Sequence, residues 1–151
     1  MTLFDLRQVL APLSDVEILA LTLFGEVRGE PIEGQIAVAQ VVRNRVTDGR
    51  KRWPTTYRDV CLQKSQFSCW LPVGGQANHD AVLRQAQDLI AGRRDAIMRQ
   101  LNWVSAGVFD SLLMDATRSA NHYHVAGMKL PTWAVGKPVT AHIGAHVFYS
   151  L

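Results

Sequence analysis

Between Glu33 and Val46 the chain carries Ile36, Ala37, Val38, Ala39, Val41, Val42 and Val46, an apolar set that runs nearly all the way round a helix of that length. A helix of this kind belongs in the middle of a fold, so the other segments must surround it. The segment before it supplies one neighbour. Ser14-Asp15-Val16-Glu17 has the pattern of a capping box, in which the hydroxyl and the carboxylate each satisfy an orphan amide at a helix start. Val16, Leu19, Ala20, Leu23, Phe24 and Val27 then draw one apolar stripe, and Gly29 and Pro31 end the helix.

From Gly49 to Gly75 the sequence is rich in turn formers, with Pro54, Pro72 and the Gly74-Gly75 pair, and predicts loops or a small hairpin broken by a short helix over Thr56 to Leu62. Asn78 is placed to cap a helix striped by Val82, Ala86, Leu89 and Ile90 and ended by Gly92. Ile97, Leu101, Val104, Val108 and Leu112 continue the helical spacing to about Met114, with a bend expected at Gly107. From Ser119 onward the chain turns aromatic and β-branched. Asn121-His122-Tyr123-His124-Val125 and Ala145-His146-Val147-Phe148-Tyr149, punctuated by glycine and proline, predict two or three short strands. The 151 residues, 48% hydrophobic and 19% charged, suffice for one core. The expected architecture is a single helix-rich α+β domain over 1–151 with a small antiparallel sheet.

Sixteen Lys+Arg against thirteen Asp+Glu give a net charge of +3, which suits an anionic polymer but is too weak to indicate nucleic acid. No apolar run reaches the ~18 residues of a membrane span. The opening MTLFDLRQVLAPLSD holds Asp5 and Arg7 inside its apolar part and has no small-residue cleavage site, so it does not read as a secretory signal, and synthesis in a cytoplasm is expected. Cys61 and Cys69 are the only cysteines. They read as two packed thiols or as a disulfide closing the loop between them, and they lack the second pair that zinc would need. His122 and His124 fall on one face of a strand with Tyr123 opposite, and no acidic residue is spaced to complete a metal site with them. Neither a metal nor a cofactor is expected.

Two carboxylates are candidates for chemistry. At about 100° per residue, Glu26 lies roughly 90° from the centre of the apolar stripe, where a carboxyl is half desolvated. Desolvation and the nearby negative end of the helix dipole favour the protonated form that a general acid needs, whereas Arg28 opposes it. The competing description is an exposed glutamate at a helix end. Glu30, four residues on, would share a face with Glu26 if the helix persisted and would then complete a glycosidase pair, but Gly29 and Pro31 favour a turn carboxylate pairing with Arg28 or capping the next helix. The stretch Gln63-Lys64-Ser65-Gln66-Phe67-Ser68-Cys69-Trp70 mixes amide, hydroxyl and aromatic groups, which suits a sugar's hydroxyls and flat C–H faces. Phe67 and Trp70 serve equally well as core anchors for that loop.

Four blocks taken in order resemble the bacterial and phage cell wall hydrolases that include the spore cortex-lytic enzymes: LALTLFGEVRGEPIEGQIAVAQVVRNRV (Leu19 to Val46), QFSCW (Gln66 to Trp70), ANHYH (Ala120 to His124) and IGAHVFYS (Ile143 to Ser150). The first block departs from the family's G-E-A-R-G-E pattern in having Val27 for Ala. The stretch from about Ala96 to Asp115 resembles an insertion. The resemblance implies a lysozyme-like domain, related to goose-type lysozymes and lytic transglycosylases, that cuts peptidoglycan between N-acetylmuramic acid and N-acetylglucosamine without a cofactor. It maps the catalytic glutamate onto Glu26, with Glu30 as a possible second carboxylate. Gln66, Phe67, Ser68, Trp70, Tyr123 and Trp133 become the expected substrate-binding residues. Its partner would be the glycan strand, met by a monomer released through a phage-encoded membrane pore. The alternatives are an amidase cutting between glycan and stem peptide, or a peptidoglycan-binding module without turnover.

Overall fold

The computed structural model describes residues 1–72 and 75–151, so Gly74 of the expected glycine pair lies outside the described residues. Among the described residues six α-helices precede three strands: α1 (Leu3–Val9), α2 (Asp15–Val27), α3 (Ile32–Val46), α4 (Tyr57–Cys61), α5 (Gln76–Ile90), α6 (Ala96–Phe109), β1 (His122–Val125), β2 (Ala141–Ile143) and β3 (His146–Tyr149).

The capping box before α2 forms as expected, with the Ser14 hydroxyl accepting from Glu17 N–H and the Glu17 carboxylate accepting from Ser14 N–H. A cap of this kind is worth about 1 kcal/mol. The helix it starts does not keep to one stripe. Ile18, Leu19, Ala20, Leu21 and Leu23 are all fully buried, because α3, α4, α5 and α6 pack around α2. At ~2 kcal/mol for each large side chain taken out of water, this one helix is a major share of the driving force for folding. Helix α3 is buried on most of its circumference as expected, through Ala37, Val38, Ala39, Val41 and Val42.

Elsewhere the local signals were incomplete. Leu3–Val9 forms α1, opened by a capping box between Thr2 and Asp5 and seated in the core through Leu6. Its single buried side chain is too little periodicity to show in sequence. No hairpin forms between Gly49 and Pro72; that region holds α4 and a 3-10 turn over Ser68–Trp70. Helix α5 starts two residues before Asn78, which therefore sits inside it. Helix α6 stops at Phe109, and Leu112 and Met114 are 78% and 87% exposed. Gly107, where a bend was expected, is a seat for the returning chain: a Cβ there would lie 2.8 Å from Leu113 Cδ1. The segment from Ala96 to Asp115 is not an appendage, since Met98, Leu101, Val104 and Val108 of α6 are wholly buried against α2 and α3.

The sheet is antiparallel in the order β1-β3-β2, so the strand last in sequence lies in the middle. Tyr123 and Ala141 flank Phe148, which is fully buried and joins the sheet to the helical core.

Candidate active site

The last turn of α2 carries Glu26, and its backbone carbonyls would be orphaned there without outside donors. Two residues supply them. Asn78 on α5 donates through Nδ2 to Gly25 O at 3.0 Å, and Arg28 donates through Nη1 to Phe24 O at 2.8 Å. Arg28 Nη1 also donates to Asn78 Oδ1, so the guanidinium expected to compete for Glu26 is held elsewhere. The ion pairs among the described residues do not include Glu26.

Glu26 is half-buried and reached by two donors. Its Oε1 accepts the main-chain N–H of Cys69 at 3.2 Å, and its Oε2 accepts the Tyr123 hydroxyl at a long 3.5 Å. Both donors are held in place. His79, buried on α5, lies with Nδ1 3.0 Å from Cys69 O; the carbonyl can only accept, so Nδ1 carries the proton. Burial, and then the neighbouring Glu26, push the Tyr123 hydroxyl well above its ordinary pKa, so it stays a donor.

Glu26 opens onto a cleft of about 720 Å³. One wall is the loop after α4, which contributes Ser65, Gln66, Phe67, Ser68 and Leu71; the other is the sheet side, with His122, Tyr123 and Trp133. Of the residues expected from the sequence, Glu26, Gln66, Phe67, Ser68, Tyr123 and Trp133 therefore meet around one space.

Trp70 does not. It is 2% exposed, and its indole N–H donates to Thr22 Oγ1 on α2 at 3.1 Å, so this ring anchors the loop from beneath rather than facing a ligand. Glu30 is not in the cleft wall either. The chain leaves helix after Val27, which breaks the shared face that the spacing offered. Glu30 Oε1 accepts from Ala145 N–H and lies 2.9 Å from His146 Nδ1, off the line of a hydrogen bond. It clamps the α2–α3 connection to the β2–β3 turn. Cys61 and Cys69 are both free and buried, which settles the choice between thiols and disulfide.

Ser65 lies in the stretch whose composition suits a sugar, whereas Arg45, Leu71 and His122 were not expected in the site. Arg45 is the informative one. It is 6% exposed in the last turn of α3, donating through Nε to Asn121 O and through Nη1 to Gln66 Oε1. It falls in line with Val38, Val41 and Val42 at helical spacing, and a cation continuing a stripe of apolar positions was the available signal. Burial pulls its pKa down, yet an arginine stays charged. Among the described residues no three His, Cys, Asp or Glu come together as a metal site would require.

Against known proteins, residues 29–149 match the family model described as Cell Wall Hydrolase, a match that begins just after Glu26. Over 136 residues the chain is 27% identical to the spore cortex-lytic enzyme of Bacillus subtilis, covering 89% of this chain and 37% of that protein. For the Bacillus cereus spore cortex-lytic enzyme the values are 28% over 136 residues, with 89% and 44% covered. The chain thus spans less than half the length of these curated relatives. Two solved structures share the fold. The catalytic domain of Bacillus cereus SleB superposes with a TM-score of 0.63 at 26% identity, covering 90% of this chain and 89% of that one. The catalytic domain of SleB from Bacillus anthracis, described as a germination-specific lytic transglycosylase, gives 0.62 at 26% identity, with 90% and 93% covered. The helix-rich arrangement with its three-stranded sheet is accordingly the lysozyme-like fold of those domains, and the chain belongs to the cell wall hydrolase family.

Proposed function

We propose that this protein is a peptidoglycan glycosidase that cuts the bond between N-acetylmuramic acid and N-acetylglucosamine, with Glu26 as general acid and then base. The observation that carries this reading is the placement of Glu26: a half-buried carboxyl, tethered by Cys69 N–H and the Tyr123 hydroxyl, facing a cleft walled by aromatic and hydroxyl groups. Glu26 donates its proton to the glycosidic oxygen as the C1–O bond breaks and positive charge develops at C1. Glu26 is the one acidic residue among those described in the cleft wall, whereas a hydrolytic mechanism uses a second carboxylate across the scissile bond. Glu30 is committed to Ala145 and His146. This favours the route without water: the substrate's own N-acetyl oxygen stabilises C1, the C6 hydroxyl attacks it, and that hydroxyl's proton returns to the Glu26 carboxylate. The product is a 1,6-anhydromuramic acid end.

The setting proposed is wall lysis after release through a phage-encoded pore. The deciding experiment is digestion of purified sacculi by the wild type and Glu26→Gln, read by mass spectrometry. Expected are anhydro ends with the wild type and a loss of at least about 10²-fold in their rate with the variant. New reducing ends would replace the anhydro route by hydrolysis, new free amino termini would indicate the amidase, and full activity of Glu26→Gln would overturn the assignment.

A further inference from the structure

Asn121, immediately before β1, pairs with both main-chain groups of Leu151: its Nδ2 donates to Leu151 O at 2.9 Å and its Oδ1 accepts Leu151 N–H at 3.0 Å. A main-chain N–H can only donate, so this double contact fixes which end of the Asn121 amide is oxygen. The same Oδ1 lies 2.7 Å from His122 Nδ1. Nδ1 must therefore carry the proton, and in the neutral ring Nε2 is left as an acceptor. Nε2 has no partner among the described residues, is not sealed from solvent, and belongs to a ring in the cleft wall. Burial, together with the positive charges of Arg45 and Arg52, lowers the His122 pKa and keeps the ring neutral. Trp133, with its ring centroid 5.0 Å away, and Trp53, at 5.9 Å, both pack against the imidazole.

A second group in the cleft has fixed polarity as well. Gln66 Oε1 accepts from Arg45 Nη1, so the Gln66 NH₂ is the end left to donate, and Arg45 Nε in turn holds Asn121 O. One buried cation thus orients the loop wall and the strand wall together, leaving a donor on one and an acceptor on the other. One acceptor and one donor complement a secondary amide, the acetamido group that this polymer carries on its sugars.

We propose that His122 Nε2 and the Gln66 NH₂ read the acetamido group of an N-acetylhexosamine in the cleft, with Asn121 and Arg45 as positioning residues that set the polarity of the pair. The inference rests on the glycan reading above, and its test uses binding so that the two fail separately. Long-range ¹H–¹⁵N NMR of the labelled protein at about pH 8 is expected to give His122 protonated on Nδ1 and bare on Nε2; a proton on Nε2 overturns the proposal. Titration with N-acetylglucosamine tetramer is expected to shift His122 Nε2 and the Gln66 side-chain amide, while glucosamine tetramer, which lacks the acetyl groups, leaves both in place. Equal shifts with both sugars, or none with either, overturn it. His122→Phe and Gln66→Leu should each weaken the tetramer's affinity about 10-fold, with an unchanged far-UV spectrum. If the tetramer binds as expected while sacculi are left uncut, the binding assignment stands and the glycosidase reading falls.

Discussion

Gly25 is pressed so closely against Cys69 that a Cβ on the glycine would lie 2.3 Å from the cysteine's own Cβ and 2.6 Å from its sulfur. This contact brings the loop's main chain down onto α2, where Cys69 N–H meets Glu26. Gly25→Ala should cost about 1–3 kcal/mol in urea unfolding and lower glycan-cleaving activity by more than that stability loss explains. Adding Cys69→Gly, which removes the opposing Cβ, should recover part of both. Full activity of Gly25→Ala alone would contradict the view that the contact sets the carboxylate's donor.

Glu30 and Glu26 are separated by one turn of sequence but predict opposite phenotypes. Glu30→Ala leaves the exposed Ala145 N–H without its acceptor and loosens the β2–β3 turn, at about 0.5–1.5 kcal/mol. Glu30→Gln keeps an oxygen for that amide and should retain most of the activity, whereas Glu26→Gln should not. Thermal melts beside sacculus turbidity assays separate the two, and a Glu30→Gln enzyme as dead as Glu26→Gln would return Glu30 to the chemistry.

Burial pushes the Cys61 thiol up to about 12. Cys69 is likewise raised well above its ordinary value, by burial first and then by the Glu26 carboxylate beside it. Thiolate is the reactive form, so an aromatic disulfide reagent should find no rapidly reacting thiol in the native protein near neutral pH and two after denaturation. Rapid native-state labelling of either would contradict the packing around α2.

Asp115 lies in the connection between α6 and β1. Partial burial alone would raise its pKa, but hydrogen bonds from the Thr117 hydroxyl and Asn44, and then from the Thr117 and Ser119 amides, outweigh it and hold the carboxyl below its ordinary value. Because the folded pKa is the lower one, its contribution is fully present above the unfolded carboxylate range and is lost as pH falls through the lowered value. Asp115→Ala should cost about 2 kcal/mol at neutral pH and flatten the acid limb of the stability profile. An unchanged acid limb would show that the Asp115 network carries no linkage.

Much of the architecture is legible in local sequence. The Ser14 box, the nearly continuous apolar circumference expected of α3 and the β-branched aromatic runs from Asn121 onward are signals that neighbours reinforce. The burial of Leu21 and Ile18 off the expected stripe of α2 was not legible, because one helix's periodicity does not tell how many partners surround it. The site divides in the same way. Glu26, Gln66, Ser68 and Tyr123 came from motif resemblance together with residue chemistry, and they meet at the cleft. Trp70 was misplaced because an indole suits a sugar face and a core equally, and only the Thr22 hydroxyl beneath it decides. Arg45 and His122 gain their orientation from Asn121, Gln66 and Leu151, contacts that no local pattern encodes.

The middle position of β3 has a consequence for biosynthesis. A ribosome-bound chain that has not yet delivered His146 to Tyr149 holds two strands with nothing between them, so Tyr123 lacks the Phe148 backbone that fixes its place. The helical part can collapse before β3 is made, while the wall opposite Glu26 waits for β3 to pair with β1. The glycosidase activity proposed above is thus expected only of chains in which β3 has joined the sheet.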